Sequence, residues 1–216
     1  MAQVWNADGT GDPVVLTGHK GRVLCAAWSP DGQRIVTASE DGTARLWNAD
    51  GTGEPSVLAV HTDRVGRAAW SPDGKRVVTT SWDRTARVWN ADGTGKPIIL
   101  AGHTDKVCEA AWNPDGKRIA TSSLDHTLRV WNADGTGEAI VFPSHPGTAH
   151  YYVAWSPDGK RIVTASSDGT AWVWTINGWP EMRASLWKRI QDDFTPEERI
   201  QYLSETPEEA GAKMAE

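Results

Sequence analysis

The chain has 216 residues, 39% of them hydrophobic, with 22 basic and 28 acidic side chains and a net charge of −6. That balance argues against nucleic acid or an anionic membrane surface as the main target, since both select clustered positive charge. No apolar run approaches the ~20 residues of a membrane span. Residues 1–20 lack the basic start and apolar centre of an export signal, so a cytoplasmic location is expected.

From the first residue, Ala2-Gln3-Val4-Trp5-Asn6 and then Val14-Val15-Leu16 read as two short strands. They match the end, not the start, of a unit that begins at His19. That unit recurs from His61, His103 and His145, always 42 residues on. A period in this range with a Trp late in each copy is the mark of a four-stranded propeller blade. Within the first copy, Val23 to Trp28 is a first strand rich in small residues. Ser29-Pro30-Asp31-Gly32 is a turn, because Pro presets φ and Gly takes the left-handed position. Arg34 to Ser39 alternates at period 2 and reads as a second strand. Asp41-Gly42 turns the chain into a third strand ending at Trp47, and Asn48 to Gly53 leads to a short outer strand, Ser56 to Leu58.

The expected divisions follow. Residues 1–18 are a partial blade, 19–60, 61–102 and 103–144 are full blades, 145–176 are an incomplete fourth, and 177–216 are a tail. The fourth copy ends at Trp172-Val173-Trp174 and lacks an outer strand, whereas the N-terminus has one to spare. Val14, Val15 and Leu16 are therefore expected to act as a closure strand. In the tail, Met182, Leu186, Trp187 and Ile190 recur at helical spacing. Thr195-Pro196-Glu197-Glu198 and Thr206-Pro207-Glu208-Glu209 carry helix-start signals, so short α-helices are expected there. The tail holds nine acidic and five basic residues, a net −4, which leaves −2 for the repeats. Cys25 and Cys108 stand three and four residues before their strand Trp, a mismatch that does not suggest a disulfide frame and fits a reducing compartment.

Residues 2–174 resemble the WD40-repeat family. The resemblance implies, in each blade, a hydrogen-bonded structural set of a His, a Ser, an Asp and the strand Trp. The matching positions are His19, Ser39, Asp41 and Trp47; His61, Ser81, Asp83 and Trp89; His103, Ser123, Asp125 and Trp131; and His145, Ser166, Asp168 and Trp174. A buried indole N–H and an imidazole need partners, and the turn Asp is expected to accept from both. The dipeptide that names the family is Trp-Asn in three copies and Trp-Thr in the fourth. The tail, from Trp179-Pro180 onward, resembles the ends of bacterial multidomain WD40 proteins, which join such repeats to an NTPase or a kinase domain.

A recurring His, Ser and Asp also invites a hydrolytic reading. Four equivalent copies in the same turn-and-strand frame argue for structure instead, since a nucleophile needs one activated site. The Asn-Ala-Asp-Gly-Thr-Gly turns resemble calcium loops. However, Asp12, Glu54, Lys96 and Glu138 occupy the sixth place after Asn and supply no constant carboxylate. No Cys/His spacing suits zinc, and no Gly-rich phosphate loop joins a strand to a helix. No cofactor and no metal are expected, and the protein is read as a non-enzyme.

The resemblance places interaction positions on the top face, around the start of the first strand and just before the turn Asp. The first group is Arg22 and Leu24, Arg64 and Gly66, Lys106 and Cys108, Ala149 and Tyr151. The second is Glu40, Trp82, Leu124 and Ser167. Exposed Trp82 and Leu124 beside Arg64 and Lys106 would form an anchor with a basic rim. Arg22, Arg64, Trp82, Lys106, Leu124 and Tyr151 are the candidate partner-binding face. In the family, rings close with about six to eight blades, so a four-blade arc would leave apolar faces bare. The expected fold is all-β: a four-bladed WD40 arc with a short helical tail, closing as a homodimer into an eight-bladed ring. The expected role is a scaffold for an unidentified protein or peptide. The alternatives are the sensory arm of a bacterial NTPase or kinase, or a newly amplified fragment with no settled partner.

Overall fold

The computed structural model describes residues 2–58, 61–143 and 149–176. The expected tail helices and His145 lie outside the described residues. Seventeen strands make up all the regular structure described. Strands β1 (Ala2–Val4) and β2 (Val14–Leu16) form a two-stranded sheet. Blade 1 is β3 (Val23–Trp28), β4 (Arg34–Ser39), β5 (Ala44–Asn48) and β6 (Ser56–Leu58), in that order. Blade 2 is β7 (Val65–Trp70), β8 (Arg76–Ser81), β9 (Thr85–Asn90) and β10 (Ile98–Ala101). Blade 3 is β11 (Val107–Trp112), β12 (Arg118–Ser123), β13 (Thr127–Asn132) and β14 (Ile140–Pro143). Among the described residues, blade 4 comprises β15 (His150–Trp155), β16 (Arg161–Ser166) and β17 (Ala171–Thr175).

Local chemistry explains the meander. At the first turn, Asp31 Oδ1 accepts from Gln33 N at 3.0 Å and Ser29 Oγ accepts from Arg34 N at 2.9 Å, while Gly32 takes φ 69°. The second turn needs a left-handed residue after its Asp. Gly42 and Gly169 supply it at no steric cost, whereas Arg84 (φ 70°) and His126 (φ 65°) hold the same position under strain. In every blade the first strand carries a bulge, between Val23 and Cys25 in blade 1 and at the matching step in the others. The bulge, which the sequence pattern did not reveal, inserts one extra residue and re-aims its neighbours.

The blades stack face to face, with β3, β7, β11 and β15 side by side. Val36 and Leu46 of blade 1 bury against Val65, Trp70 and Val77 of blade 2. Val78 and Val88 then meet Trp112 and Ile119, and Leu128, Val130 and Phe142 meet Val153 and Ile162. Each junction repeats one polar lock. Trp70 Nε1 donates to Ala27 O at 3.2 Å, Trp112 Nε1 to Ala69 O at 3.2 Å, and Trp155 Nε1 to Ala111 O at 3.1 Å. An arginine of the earlier blade covers that indole: Arg34 over Trp70 at 4.8 Å, Arg76 over Trp112 at 4.8 Å and Arg118 over Trp155 at 5.3 Å. Arg34 continues to Ala91 O (2.6 Å) and Gly74 O (3.3 Å), and Arg76 to Ala133 O (2.9 Å) and Gly116 O (2.8 Å).

The two ends of the arc differ from its interior. Strand β2, expected to serve as a closure strand, is paired within its own chain, in the register Ala2↔Leu16, Gln3↔Val15 and Val4↔Val14. This repeats Ala44↔Leu58, Arg45↔Val57 and Leu46↔Ser56 of blade 1. The hairpin is thus the outer half of a blade standing ahead of blade 1, with Leu16 buried on Ile35 and Trp47. It covers only that outer half. Trp28 is 54% exposed, whereas Trp70 and Trp112 are 8% exposed. At the far end, Val163 and Ala165 face solvent where Val36 and Ala38 are buried.

Candidate protein-interaction face

Blades 1, 2 and 3 each build one end around a chain of hydrogen bonds. In blade 2, His61 Nδ1 lies 2.8 Å from Asp83 Oδ2, and His61 Nε2 lies 2.8 Å from Thr79 Oγ1. Trp89 Nε1 donates to Thr79 Oγ1 at 2.9 Å. Blades 1 and 3 repeat the set: His19, Asp41, Thr37 and Trp47, and His103, Asp125, Thr121 and Trp131. This corrects the expected wiring. The strand Trp bonds a Thr hydroxyl, not the Asp, and the linking residue is the Thr two places before the expected Ser. Ser39, Ser81 and Ser123 instead accept from the backbone N–H of Asp41, Asp83 and Asp125 and so shape the turn. In blade 4, Trp174 Nε1 donates to Thr164 Oγ1 at 3.1 Å, and Asp168 accepts from Thr170 N and Oγ1. Thr37, Thr79, Thr121 and Thr164 share one period-2 position, but as buried Thr they look like ordinary strand residues.

The proton placement follows from electrostatics. Burial holds the pKa of His19, His61 and His103 below the usual 6.5, against the raising pull of their aspartates. A neutral imidazole beside a carboxylate donates from Nδ1, which leaves Nε2 to accept the Thr O–H. The order is therefore indole N–H to Thr hydroxyl, Thr O–H to imidazole, imidazole N–H to carboxylate, with each polar group satisfied. Burial raises the pKa of Asp41, Asp83 and Asp125, but hydrogen bonds outweigh it and hold all three below 3.8. Those bonds come from the turn Thr, the His and backbone N–H groups. A Thr–His–Asp line has the order of a hydrolytic triad. Here the hydroxyls of Thr37, Thr79 and Thr121 belong to residues with no exposed area, and each already accepts from an indole. A substrate carbonyl has no approach to them.

The long turns are also closed on themselves. Thr52 N and Oγ1 both donate to Asp50 Oδ1, and Asn48 Nδ2 donates to Thr52 O; the turns at Asn6, Asn90 and Asn132 repeat this. Among the described residues, no three His, Cys, Asp or Glu side chains converge as a metal site.

Above the aspartates, the backbone N–H of Glu40, Trp82, Leu124 and Ser167 bonds the carbonyl of Arg22, Arg64, Lys106 and Ala149, respectively. The two sets of candidate positions are therefore brought together in each blade. Across blades they form a strip. Arg64 Cζ lies 3.9 Å from the Trp82 ring centre and Lys106 Nζ of blade 3 lies 4.0 Å from it. Arg64 also donates to Glu40 Oε1 of blade 1 at 3.3 Å, and Arg22 lies 4.0 Å from the same oxygen. Trp82 and Leu124, expected to be exposed, are both half-buried; at Trp82 the two cations cover the indole. Tyr151 is exposed in blade 4 and takes no part in the contacts that join Trp82, Arg64 and Lys106.

A second set of equivalent positions escaped the sequence reading because its residues share no chemistry. Cys25, Arg67, Glu109 and Tyr152 occur once each on the four first strands. Arg67 Nε meets Glu109 Oε2 at 3.2 Å, and its guanidinium lies 5.6 Å from the Tyr152 ring. Burial raises the pKa of Glu109, partly offset by Arg67.

A sequence model described as "WD domain, G-beta repeat" matches residues 13–48, 54–90, 96–132 and 139–175, more than half of the chain. Coronin-7 of Homo sapiens is 37% identical over 43 residues. The match covers 20% of this chain and 5% of that protein's length.

Proposed function

As the chain belongs to the WD40-repeat family, we propose that it is a non-enzymatic scaffold that holds a protein partner on the face centred on Trp82. Domains of this family are generally protein-interaction scaffolds. The observation that carries the reading is the Arg64–Trp82–Lys106 stack, with Glu40 fixing Arg64 from the neighbouring blade. A pre-ordered aromatic anchor between cations loses little entropy on binding. It suits a partner that presents a carboxylate beside an apolar side chain. The net charge of −6 disfavours nucleic acid and anionic membranes as partners. Free thiols at Cys25 and Cys108 are consistent with work in a reducing cytoplasm.

We also propose a homodimer that completes an eight-bladed ring. The end faces around Trp28 and Val163, exposed among the described residues, support it, since an apolar surface of that kind seeks cover. The alternative reading, a recognition arm of a bacterial NTPase or kinase, would use the same Trp82 face. The basis for that alternative, residues 177–216, lies outside the described residues.

The test compares proteins retained by the immobilised wild-type chain with those retained by Trp82→Ala and Arg64→Ala. A partner held by wild type and lost at least tenfold by both variants, with unchanged thermal melts, is the expected result. Equal retention by all three overturns the assignment of this face.

A further inference from the structure

We propose that blade 4 of one copy docks on blade 1 of a second copy through Trp28 and Arg161, and that β17 replaces β1 beside the second copy's β2. This rests on the homodimer reading and specifies its junction.

All three internal junctions join an arginine and a carbonyl of the earlier blade to an indole of the later one. At the first two the arginine also reaches two carbonyls of the later blade, whereas at the third Asn113 Nδ2 bonds the Gly159 carbonyl. Moving back one repeat from Trp70 and Ala27 gives Trp28 on blade 1 and Ala154 on blade 4. Moving forward from Arg34, Arg76 and Arg118 gives Arg161, and from Ala91 and Gly74 back to Ala49 and Gly32. All the parts of a fourth lock are therefore present, divided between the two ends. Arg161 is exposed on blade 4 and Trp28 is 54% exposed on blade 1. Within one chain the two ends do not seal each other, since Trp28 is 54% and Val163 41% exposed. Two copies, related by a two-fold axis, supply two such locks and eight blades.

The notch that would receive blade 4 is present. Val4, Leu16, Ala26, Trp28 and Ile35 line a hollow where the first two strands of the front half-blade are missing. Strands β15 and β16 are the strands that would fill it. One strand is then surplus, since β1 and β17 both hold the third place. Strand β17 pairs with β16 at five positions, and its Trp174 packs edge-on against Phe142 at 5.3 Å. Strand β1 has three pairs, and Trp5, at the Trp174 position, is 62% exposed. Displacing β1 forfeits less. Its three pairs are replaced in the same register by Ala171↔Leu16, Trp172↔Val15 and Val173↔Val14, which buries Val173, now 64% exposed.

Light scattering on a sizing column, with the full chain, tests this. Wild type should have twice the 23.5 kDa chain mass. Trp28→Glu and Arg161→Glu alter exposed side chains, so both should stay folded by circular dichroism yet elute as monomers. Their equimolar mixture should regain dimer, because one junction then joins an intact Trp28 to an intact Arg161. Val173→Asp should be monomeric and Val4→Asp dimeric, since Val4 leaves the interface with β1. A monomeric wild type overturns both this proposal and the homodimer; the blade 4 face is then bare or covered by residues 177–216. A dimer that survives Trp28→Glu and Arg161→Glu, or a mixture that stays monomeric, removes this junction and leaves the homodimer standing. A dimer lost in Val4→Asp but kept in Val173→Asp overturns the strand exchange.

Discussion

At the scale of single residues, Thr37, Thr79 and Thr121 link the strand indole to the turn histidine. Each hydroxyl accepts one bond and donates the next, so a Val in its place leaves an indole N–H and an imidazole nitrogen unpaired in the interior. Thr79→Val should therefore cost about 2–4 kcal/mol in urea unfolding, more than an ordinary buried hydrogen bond. Ser81→Ala loses the bond from Asp83 N and the bond to Arg64 O (2.9 Å) but strands no ring nitrogen, and should cost about 1 kcal/mol. The histidines also set a pH dependence. His61 and His103 are held below 6.5 when folded, so the unfolded chain binds more protons as the pH drops. Stability is then full above pH 6.5 and is lost as the pH falls towards the folded pKa values, by up to about 1.4 kcal/mol per pH unit for each histidine. Asp83 and Asp125 are also lowered, so a further loss follows below pH 3.8. Urea midpoints measured at pH 7.5, 6.0 and 5.0 should fall in that order; a flat profile would mean that the imidazoles are not buried as neutral groups.

At the scale of elements, the blades differ most in the turn after the second strand. Gly42 and Gly169 suit its left-handed backbone, and Arg84 and His126 do not. Arg84→Gly relieves a strain of about 1–2 kcal/mol but gives the unfolded chain more freedom, worth about 0.5–1 kcal/mol. A net gain of about 0.5–1 kcal/mol is expected, read as a rise in melting temperature of about 1–4 °C. The reverse change, Gly169→Arg, at a position where an added Cβ meets nothing within 4 Å, should lower it by a similar amount. The half-blade β1–β2 shows how legible an element can be. Its two strands were evident from Val4-Trp5-Asn6 and Val14-Val15-Leu16, because they copy Leu46-Trp47-Asn48 and Ser56-Val57-Leu58. That they pair with each other ahead of blade 1 depends on Ile35 and Trp47 offering Leu16 a buried seat.

At the scale of the whole molecule, stability is shared among junctions that each join neighbours only. Arg76 bonds two carbonyls of blade 3 and covers Trp112, so Arg76→Ala should cost about 2–3 kcal/mol. Arg161→Ala removes the same residue from the same place in the repeat. In a monomer it should cost nearly nothing, and in a dimer it should cost association. Urea unfolding of both variants at low and high protein concentration separates these outcomes. The same logic makes the Trp82 face a property of the assembly of blades, since Glu40, Arg64, Trp82 and Lys106 come from three of them.

The 42-residue period, the strands and the turns were determined by the sequence alone. Each rests on contacts within a few residues: a Pro that presets φ, an Asp that accepts from the next N–H but one, and alternation along a strand. The expectation of an incomplete last blade has the same basis, because a missing outer strand reads as a missing stretch of text; residues 177–216 lie outside the described residues. Tertiary structure decided the rest. Thr79 and Ser81 share a strand face two residues apart, and only the position of the His61 and Trp89 rings selects the Thr. Trp82 looked exposed until Lys106, brought in from the next blade, covered it. Trp28 and Trp70 occupy the same place in the repeat, and one is bare while the other is sealed only because blade 1 packs against Trp70. Such differences are set by partners about a full repeat away, which no local pattern records and only the stacking of blades brings within reach.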